Sequence, residues 1–369
     1  MVASTISNNN VKNKERIMGH KLIAITIILN FLFNLTINAD AFQGAYEACN
    51  KGNAQKCFKL AVAYDVGTLK KRDINKASEL YYKACYGEHA IACYNLASIY
   101  ANDPKVQPYT VNGLYEKACN GGHMAGCNSF ALILAEGRLI GKDINKAVRL
   151  HRKTCNNKFY EGCFHLGNMY VVGSGLKKDY SQAMNLYQKS CDGGFAKGCY
   201  KAGVSYSTGR GVEQSNFYAA KFYQKACDGG FTEACYNLAF NYARGQGVEK
   251  SLTVATNFYQ KSCTEGYVRA CINLGNMYFF GNNVKHNTFK ALKLYQKACY
   301  GDIAEGCYNL GINYANGAGV VQSNRQALDY FEKSCEMQYT NGCNAYTELK
   351  KTNILNASRK LAKTERVFL

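Results

Sequence analysis

Cysteine is the residue type whose spacing in this sequence points most directly to chemistry. All 18 cysteines fall into pairs with seven residues between the two members: Cys49 with Cys57, Cys85 with Cys93, Cys119 with Cys127, Cys155 with Cys163, Cys191 with Cys199, Cys227 with Cys235, Cys263 with Cys271, Cys299 with Cys307 and Cys335 with Cys343. Such pairs could bind a metal, form a redox centre or close disulfides. Which of these they do depends on the compartment and on the elements that hold them.

The N-terminal residues indicate export. Residues 22–37 are apolar, with basic residues upstream and an Ala-Asp-Ala sequence downstream. This pattern predicts a secretory signal over residues 1–41, with cleavage after Ala41 and Phe42 as the first mature residue. Met18 is an alternative start, and a retained membrane anchor is the alternative interpretation. The predicted location is therefore secreted, either extracellular or periplasmic.

Export favours disulfides, because an oxidising compartment closes evenly paired cysteines. We expect each cysteine to bond its partner eight positions later, which gives nine local disulfides. Zinc is the competing interpretation, but structural zinc sites pair closer ligands and need four of them. No C-x-x-C redox motif is present. We therefore predict no metal and no cofactor.

The cysteine pairs also define a repeat. Successive pairs begin 36 residues apart, apart from one step of 34 between Cys85 and Cys119. A fixed period of this length is typical of a solenoid. Each repeat reads as two helices, because apolar and small residues recur three and four positions apart. Helix A starts at the second cysteine of a pair, and helix B ends at the first cysteine of the next pair.

The predicted organisation has three parts. Residues 42–343 form about eight A–B units with an N-terminal half unit, and residues 344–369 form a C-terminal cap with a helix over Leu349 to Leu361. The shorter repeat contains Pro104 and Pro108, the only prolines. Proline cannot continue a helix interior, so helix A of that repeat should end near Ala101.

The period and several motifs resemble Sel1-like repeats, which are similar to tetratricopeptide repeats. The motifs are G-C-Y-N-L-G at 306–311, L-Y-Q-K-A-C-Y-G-D at 294–302 and the G-x-G-V loops that begin at Gly209, Gly245 and Gly317. The resemblance implies an all-α, right-handed α-solenoid with a concave surface lined by A helices and one disulfide per repeat. Paired cysteines behind a signal segment narrow the resemblance to the Helicobacter cysteine-rich proteins. That family implies penicillin binding, slow β-lactam hydrolysis or secreted action on host cells.

The residues themselves argue against a dedicated β-lactamase. A single S-x-x-K sequence follows the signal, from Ser174 to Lys177, and it lies in a predicted loop. The S-D-N and K-T-G elements that accompany this motif in serine β-lactamases are absent. No catalytic residue can be assigned, so a weak β-lactamase remains an alternative to a binding protein.

Lysine recurs at one repeat position, two residues before the helix-B cysteine. The eight residues are Lys83, Lys117, Lys153, Lys189, Lys225, Lys261, Lys297 and Lys333. A cation there suits the C-terminal end of the helix dipole. The chain after residue 41 carries a net charge of +17, from 41 basic and 24 acidic residues. A lysine ridge would attract anionic host or envelope surfaces, and specific nucleic-acid binding is not expected.

Asparagine recurs at two positions of helix A. Asn95, Asn237, Asn273 and Asn309 stand two residues after the cysteine, and Asn168 and Asn276 stand five after it. Both positions avoid the predicted buried stripe, so we expect exposed side chains in the concave groove. An amide can donate to and accept from a peptide backbone. The predicted ligands are peptides, peptidoglycan fragments or β-lactam-like molecules, with acidic host peptides second. A solvated helix face is the alternative.

Overall fold

The computed structural model describes residues 39–68, 71–137 and 141–365, with side chains described between residues 42 and 353. Within these residues the chain forms eighteen helices and no strand. The helices are α1 (Ala39–Asn50), α2 (Ala54–Val66), α3 (Ile74–Tyr86), α4 (Ala90–Tyr100), α5 (Pro108–Asn120), α6 (Met124–Glu136), α7 (Ile144–Asn156), α8 (Tyr160–Val172), α9 (Tyr180–Asp192), α10 (Ala196–Thr208), α11 (Asn216–Asp228), α12 (Thr232–Arg244), α13 (Leu252–Thr264), α14 (Arg269–Phe280), α15 (Thr288–Tyr300), α16 (Ala304–Asn316), α17 (Asn324–Glu336) and α18 (Thr340–Glu365). Even-numbered helices are the predicted A helices, and odd-numbered helices are the B helices.

The chain divides into two compact units. Unit 1 ends at Phe159 and unit 2 begins at Tyr160. Within each unit every helix packs mainly on the helices next to it in sequence. This nearest-neighbour packing is the arrangement of a repeat protein, so the predicted all-α helix-pair fold is confirmed.

Small residues let the helices approach each other. Ala219 and Ala226 stand eight and one residues before the helix-B cysteine of α11, and both are fully buried. Where serine replaces alanine, the hydroxyl finds a partner: Ser262 Oγ donates to the carbonyl oxygen of Thr232 at 2.7 Å. Most B helices start with an Asp, Asn or Ser cap, as in α3, where Asp73 Oδ1 accepts from the amide of Lys76 at 2.9 Å.

One disulfide per repeat is confirmed. Pairs that lie within one unit have Cα–Cα separations between 4.3 and 5.0 Å. The bonds are Cys49–Cys57, Cys85–Cys93 and Cys119–Cys127 in unit 1, and Cys191–Cys199, Cys227–Cys235, Cys263–Cys271, Cys299–Cys307 and Cys335–Cys343 in unit 2. Each bond joins the last turn of a B helix to the first turn of the next A helix, so the intervening turn reverses the chain inside a closed loop.

The ninth predicted pair stands apart from the others. Cys155 belongs to unit 1 and Cys163 belongs to unit 2. The bond between these two residues therefore stays a prediction. No free cysteine occurs in the part of the chain that the structure describes.

The G-x-G loops do more than end the A helices. A Cβ added at Gly247 would lie 2.1 Å from the backbone carbon of Asn216, at the start of α11. The loop after α12 thus runs directly over the first turn of the preceding B helix, with a positive φ of 71° at Gly247. Only glycine allows both that conformation and that approach.

The prediction for the shorter repeat agrees with the structure, whereas the prediction for the C-terminal helix agrees only in part. Helix α4 ends at Tyr100 with Ala101 as its cap, and α5 begins at Pro108, as the prolines predict. The C-terminal helix differs from the prediction, because α18 is one continuous helix that starts at Thr340 rather than a separate helix from Leu349. The predicted signal segment lies almost entirely outside the described residues.

Candidate functional site

The six predicted groove asparagines are all half-buried rather than exposed. Asn95, Asn168, Asn237, Asn273, Asn276 and Asn309 lie on A helices, as predicted. The expected exposure was wrong, and the assignment of these side chains to a binding groove stays a prediction. The physical reason is that tyrosines of the neighbouring B helices lie against several of these side chains.

Two of the asparagines hold a tyrosine hydroxyl directly. Tyr187 of α9 donates to Asn168 Oδ1 at 2.7 Å, and Tyr295 of α15 donates to Asn276 Oδ1 at 2.7 Å. Both tyrosine rings are buried, with 3% and 2% exposure. Burial raises the pKa of Tyr187 to about 12, and it also raises the pKa of Tyr295. Both hydroxyls therefore stay protonated and donate.

Two further asparagines of unit 2 lie beside tyrosines of the neighbouring B helices. Burial raises the pKa of Tyr223 of α11, and it raises the pKa of Tyr259 of α13 to about 12. The side-chain amides of Asn237 and Asn273, respectively, oppose these two shifts.

These residues belong to successive helices of unit 2, and we call them together the asparagine–tyrosine row. Its members are Asn168, Tyr187, Tyr223, Asn237, Tyr259, Asn273, Asn276 and Tyr295. In unit 1, Asn95 lies beside Tyr81, whose hydroxyl donates to Asp65 Oδ2 at 3.3 Å. Asn309 differs, because its backbone carbonyl accepts from Asn313 Nδ2 at 2.7 Å.

The sequence interpretation missed the tyrosines of this row as functional candidates. They stand four residues before the helix-B cysteine, at positions 81, 115, 187, 223, 259 and 295. That recurrence could have been paired with the asparagine recurrence. The tyrosine rings lie in the core. Their hydroxyl groups are the polar ends that meet the asparagines.

The repeated lysines reach back to the previous repeat. Lys261 Nζ donates to the carbonyl oxygen of Cys227 at 3.1 Å, and Lys297 Nζ donates to that of Cys263 at 2.8 Å. Lys225 Nζ lies 3.7 Å from Asp192 Oδ1. These ammonium groups satisfy the C-terminal end of the preceding B helix. The side chains of Lys225 and Lys297 nevertheless remain exposed, so these contacts do not withdraw the lysines from solvent.

The structure gives no support to a catalytic centre at Ser174. Its backbone amide donates to the carbonyl oxygen of Met169 at 3.0 Å in the loop after α8. Ser174 is half-buried while Lys177 is exposed. Among the described residues, no group of three His, Cys, Asp or Glu side chains could hold a metal ion. In the same part of the chain, no helix is long and apolar enough to span a membrane.

Solved structures similar to this chain share its fold. A protective antigen from uropathogenic Escherichia coli, which displays an SLR fold, is 25% identical with a TM-score of 0.69; the match covers 82% of this chain and 65% of that protein. The chain thus spans slightly less than two thirds of this relative. A Sel1 repeat protein from Oxalobacter formigenes is 22% identical with a TM-score of 0.63, over 86% of this chain and 93% of that one.

Helicobacter pylori cysteine rich protein B is 29% identical, with a TM-score of 0.30, over 37% of this chain and 97% of that protein. The narrower resemblance to Helicobacter cysteine-rich proteins therefore stays a prediction. No curated protein matches the sequence.

The Sel1 repeat model matches eight segments: residues 57–89, 90–108, 127–159, 161–195, 196–231, 232–267, 268–302 and 304–339. Together these segments cover more than half of the chain. With the helix pairs and the disulfides described above, they show that this chain belongs to the Sel1 repeat family.

Proposed function

We propose that this protein is an exported interaction scaffold that binds an extended peptide along the asparagine–tyrosine row of unit 2. The observation that carries the proposal is the pairing of Asn168 and Asn276 with buried tyrosine hydroxyls. Each pair fixes the orientation of a half-buried amide. Asn168 and Asn276 thus supply two amides of fixed orientation within unit 2.

The chemistry of these amides suits a backbone ligand. In Asn168 and Asn276 the Oδ1 atom accepts from a tyrosine, so the Nδ2 group is directed away from that bond. An amide Nδ2 group carries two donors, which can serve a peptide carbonyl or a carboxylate. The row is also pre-organised, because disulfides and helix caps hold the helices that carry it. Pre-organisation lowers the ordering cost on the receptor side.

Peptidoglycan-derived peptides are our first candidate ligands. Disulfides in every repeat are compatible with an oxidising compartment, and a predicted signal segment would place the protein near the cell wall. β-Lactam-like molecules resemble the D-Ala ends of such peptides. Acidic host peptides come second. The lysine contacts to backbone carbonyls weaken the case for a purely electrostatic partner.

A matched pair of double variants tests the proposal. Asn168→Ala with Asn276→Ala removes two amides, whereas Tyr187→Phe with Tyr295→Phe removes the two internal hydrogen bonds to these amides and keeps the amides. Both should lose similar stability. Two lost ligand bonds of about 1 kcal/mol each weaken binding about 30-fold. The probe is a fluorescent stem pentapeptide ending in D-Ala-D-Ala.

We expect the asparagine variant to bind this probe about 30-fold more weakly and the tyrosine variant to bind within about threefold of the parent. Equal affinity of the asparagine variant and the parent would refute the proposal. Adding salt distinguishes the two ligand classes, because the affinity for an acidic peptide should fall steeply while the affinity for the stem peptide changes little.

A hydrolysis assay tests the enzyme alternative. β-Lactam turnover at the rate of a dedicated hydrolase, abolished by Ser174→Ala, would favour that alternative.

A further inference from the structure

Two A helices of unit 1 begin with a histidine cap. His89 Nδ1 accepts from the backbone amide of Ala92 at 3.3 Å at the start of α4. His123 Nδ1 accepts from the backbone amide of Gly126 at 3.2 Å at the start of α6. Each imidazole therefore satisfies an amide that has no partner inside its helix. This role requires Nδ1 to carry no proton.

The surroundings of both rings favour the neutral form. The His89 ring stacks on Phe58 at 4.2 Å, and its Nε2 lies 3.0 Å from Gln55 Oε1. Because Gln55 Oε1 is an acceptor, Nε2 carries the proton and Nδ1 is left to accept. The His123 ring packs against Tyr94 at 4.7 Å. Burial lowers the pKa of both histidines.

No charged side chain offsets this burial. Helix α4, which packs against both caps, has no charged residue. The charged residues on the other neighbouring helices are Lys56, Lys59 and Asp65 of α2, Lys76, Glu79 and Lys83 of α3, Glu116 and Lys117 of α5, and Glu136 of α6. None of them contributes to the lowered pKa of either histidine, and Glu88, the neighbour of His89 in the chain, is exposed.

We propose that His89 and His123 are acid-sensitive helix caps that loosen the starts of α4 and α6 as the pH falls below neutrality. A proton on Nδ1 removes the acceptor of the capping bond. It also places a positive charge at a helix N-terminus, where the dipole disfavours it. The two effects act together on the turns that carry the disulfides Cys85–Cys93 and Cys119–Cys127.

The direction of the pH dependence follows from linkage. The unfolded chain takes up the proton near the ordinary histidine pKa of about 6.5, before the folded caps do. The stability from the caps is therefore complete above about pH 6.5 and falls as the pH drops through the lower folded values. Unit 2 should not share this dependence, because Phe195, Phe231 and Ile303 stand at the same position and make no side-chain cap bond.

A non-titrating cap already exists in the chain and supplies the control. Asn53 Oδ1 accepts from the amide of Lys56 at 3.0 Å at the start of α2. The double variant His89→Asn with His123→Asn should keep both caps and lose the titration. His151 of α7 is also buried in unit 1, where Nδ1 lies 3.1 Å from Asn128 Oδ1, and it remains in the variant.

The experiment is hydrogen exchange at pH 7.5 and 5.0, corrected for intrinsic rates. In the parent we expect protection of the first amides of α4 and α6 to fall about tenfold at pH 5.0, with α10 and α12 unchanged. In the double variant the fall should disappear. An equal fall in the double variant or in unit 2 would overturn the proposal. The proposal would also be overturned if an NMR titration of the parent gave His89 or His123 a pKa at or above the ordinary histidine value.

Discussion

The turn from each B helix into the next A helix contains one residue with a positive φ, three positions after the helix-B cysteine. Glycine occupies this position in five turns: Gly52, Gly122, Gly194, Gly230 and Gly266. In the other four turns it is Glu88, Lys158, Asp302 or Gln338, with φ between 59° and 67°. At all five glycines an added Cβ would meet nothing within 4 Å. A side chain there should therefore cost conformational energy without a clash.

Replacing such a residue by glycine should stabilise the turn. The left-handed conformation costs a non-glycine residue roughly 1–2 kcal/mol. Substitution by glycine also stabilises the unfolded chain by roughly 0.4–1 kcal/mol, because that chain becomes more flexible. This effect offsets part of the gain. Gln338→Gly and Glu88→Gly should each gain about 0.5–1 kcal/mol of stability. Asp302→Gly should gain less, because aspartate tolerates this conformation better. The reverse change, Gly230→Gln, should cost a similar amount.

Native-state hydrogen exchange of the oxidised protein is the suitable assay, because long repeat arrays need not unfold in one step. The predicted gain corresponds to about two- to fivefold slower exchange of the amides beside the substituted turn. Distant repeats should be unaffected. If Gln338→Gly accelerates exchange next to its turn while Gly230→Gln has no effect, then backbone strain is not what distinguishes these turns.

Two further changes test the packing between helices. Asn112 is 3% exposed and neither polar atom of its side chain has a hydrogen-bond partner. Asn112→Leu, which copies Leu292 at the same repeat position, should therefore raise the free energy of unfolding measured in urea by about 1–2 kcal/mol. A lower free energy of unfolding would mean that a buried water bonds this amide. Lys297→Met should cost about 0.5–1.5 kcal/mol by removing the bond to the Cys263 carbonyl, while the same change at exposed Lys285 should cost little; equal losses at the two sites would argue against the inter-repeat bond.

The helices and the disulfides could be predicted, because both depend on patterns within short stretches of the sequence. The 36-residue period, the apolar spacing of three and four, and the prolines are all visible along one chain. The close approach of Gly247, in a G-x-G loop, to Asn216 was not predicted, because it joins residues of different helices. Local sequence does not reveal such a distance.

The asparagines show the same limit more clearly. Positions two and five after the cysteine fall outside the apolar stripe of their own helix, which is why Asn168 looks exposed in sequence. Its burial comes from Tyr187, on the next helix. The lysines were also predicted from their own helix alone, whereas the ammonium group of Lys297 finds its partner 34 residues earlier.

The most direct test of the proposed function observes the asparagine side chains themselves. With asparagine labelled selectively with ¹⁵N, side-chain amide signals can be assigned by single substitutions and followed as a D-Ala-D-Ala stem pentapeptide is added. The account predicts saturable shifts of the Nδ2 signals of Asn168 and Asn276, with Asn313 unchanged because its Nδ2 is bonded within its helix. Saturable binding of the peptide that leaves those two signals unmoved would contradict it.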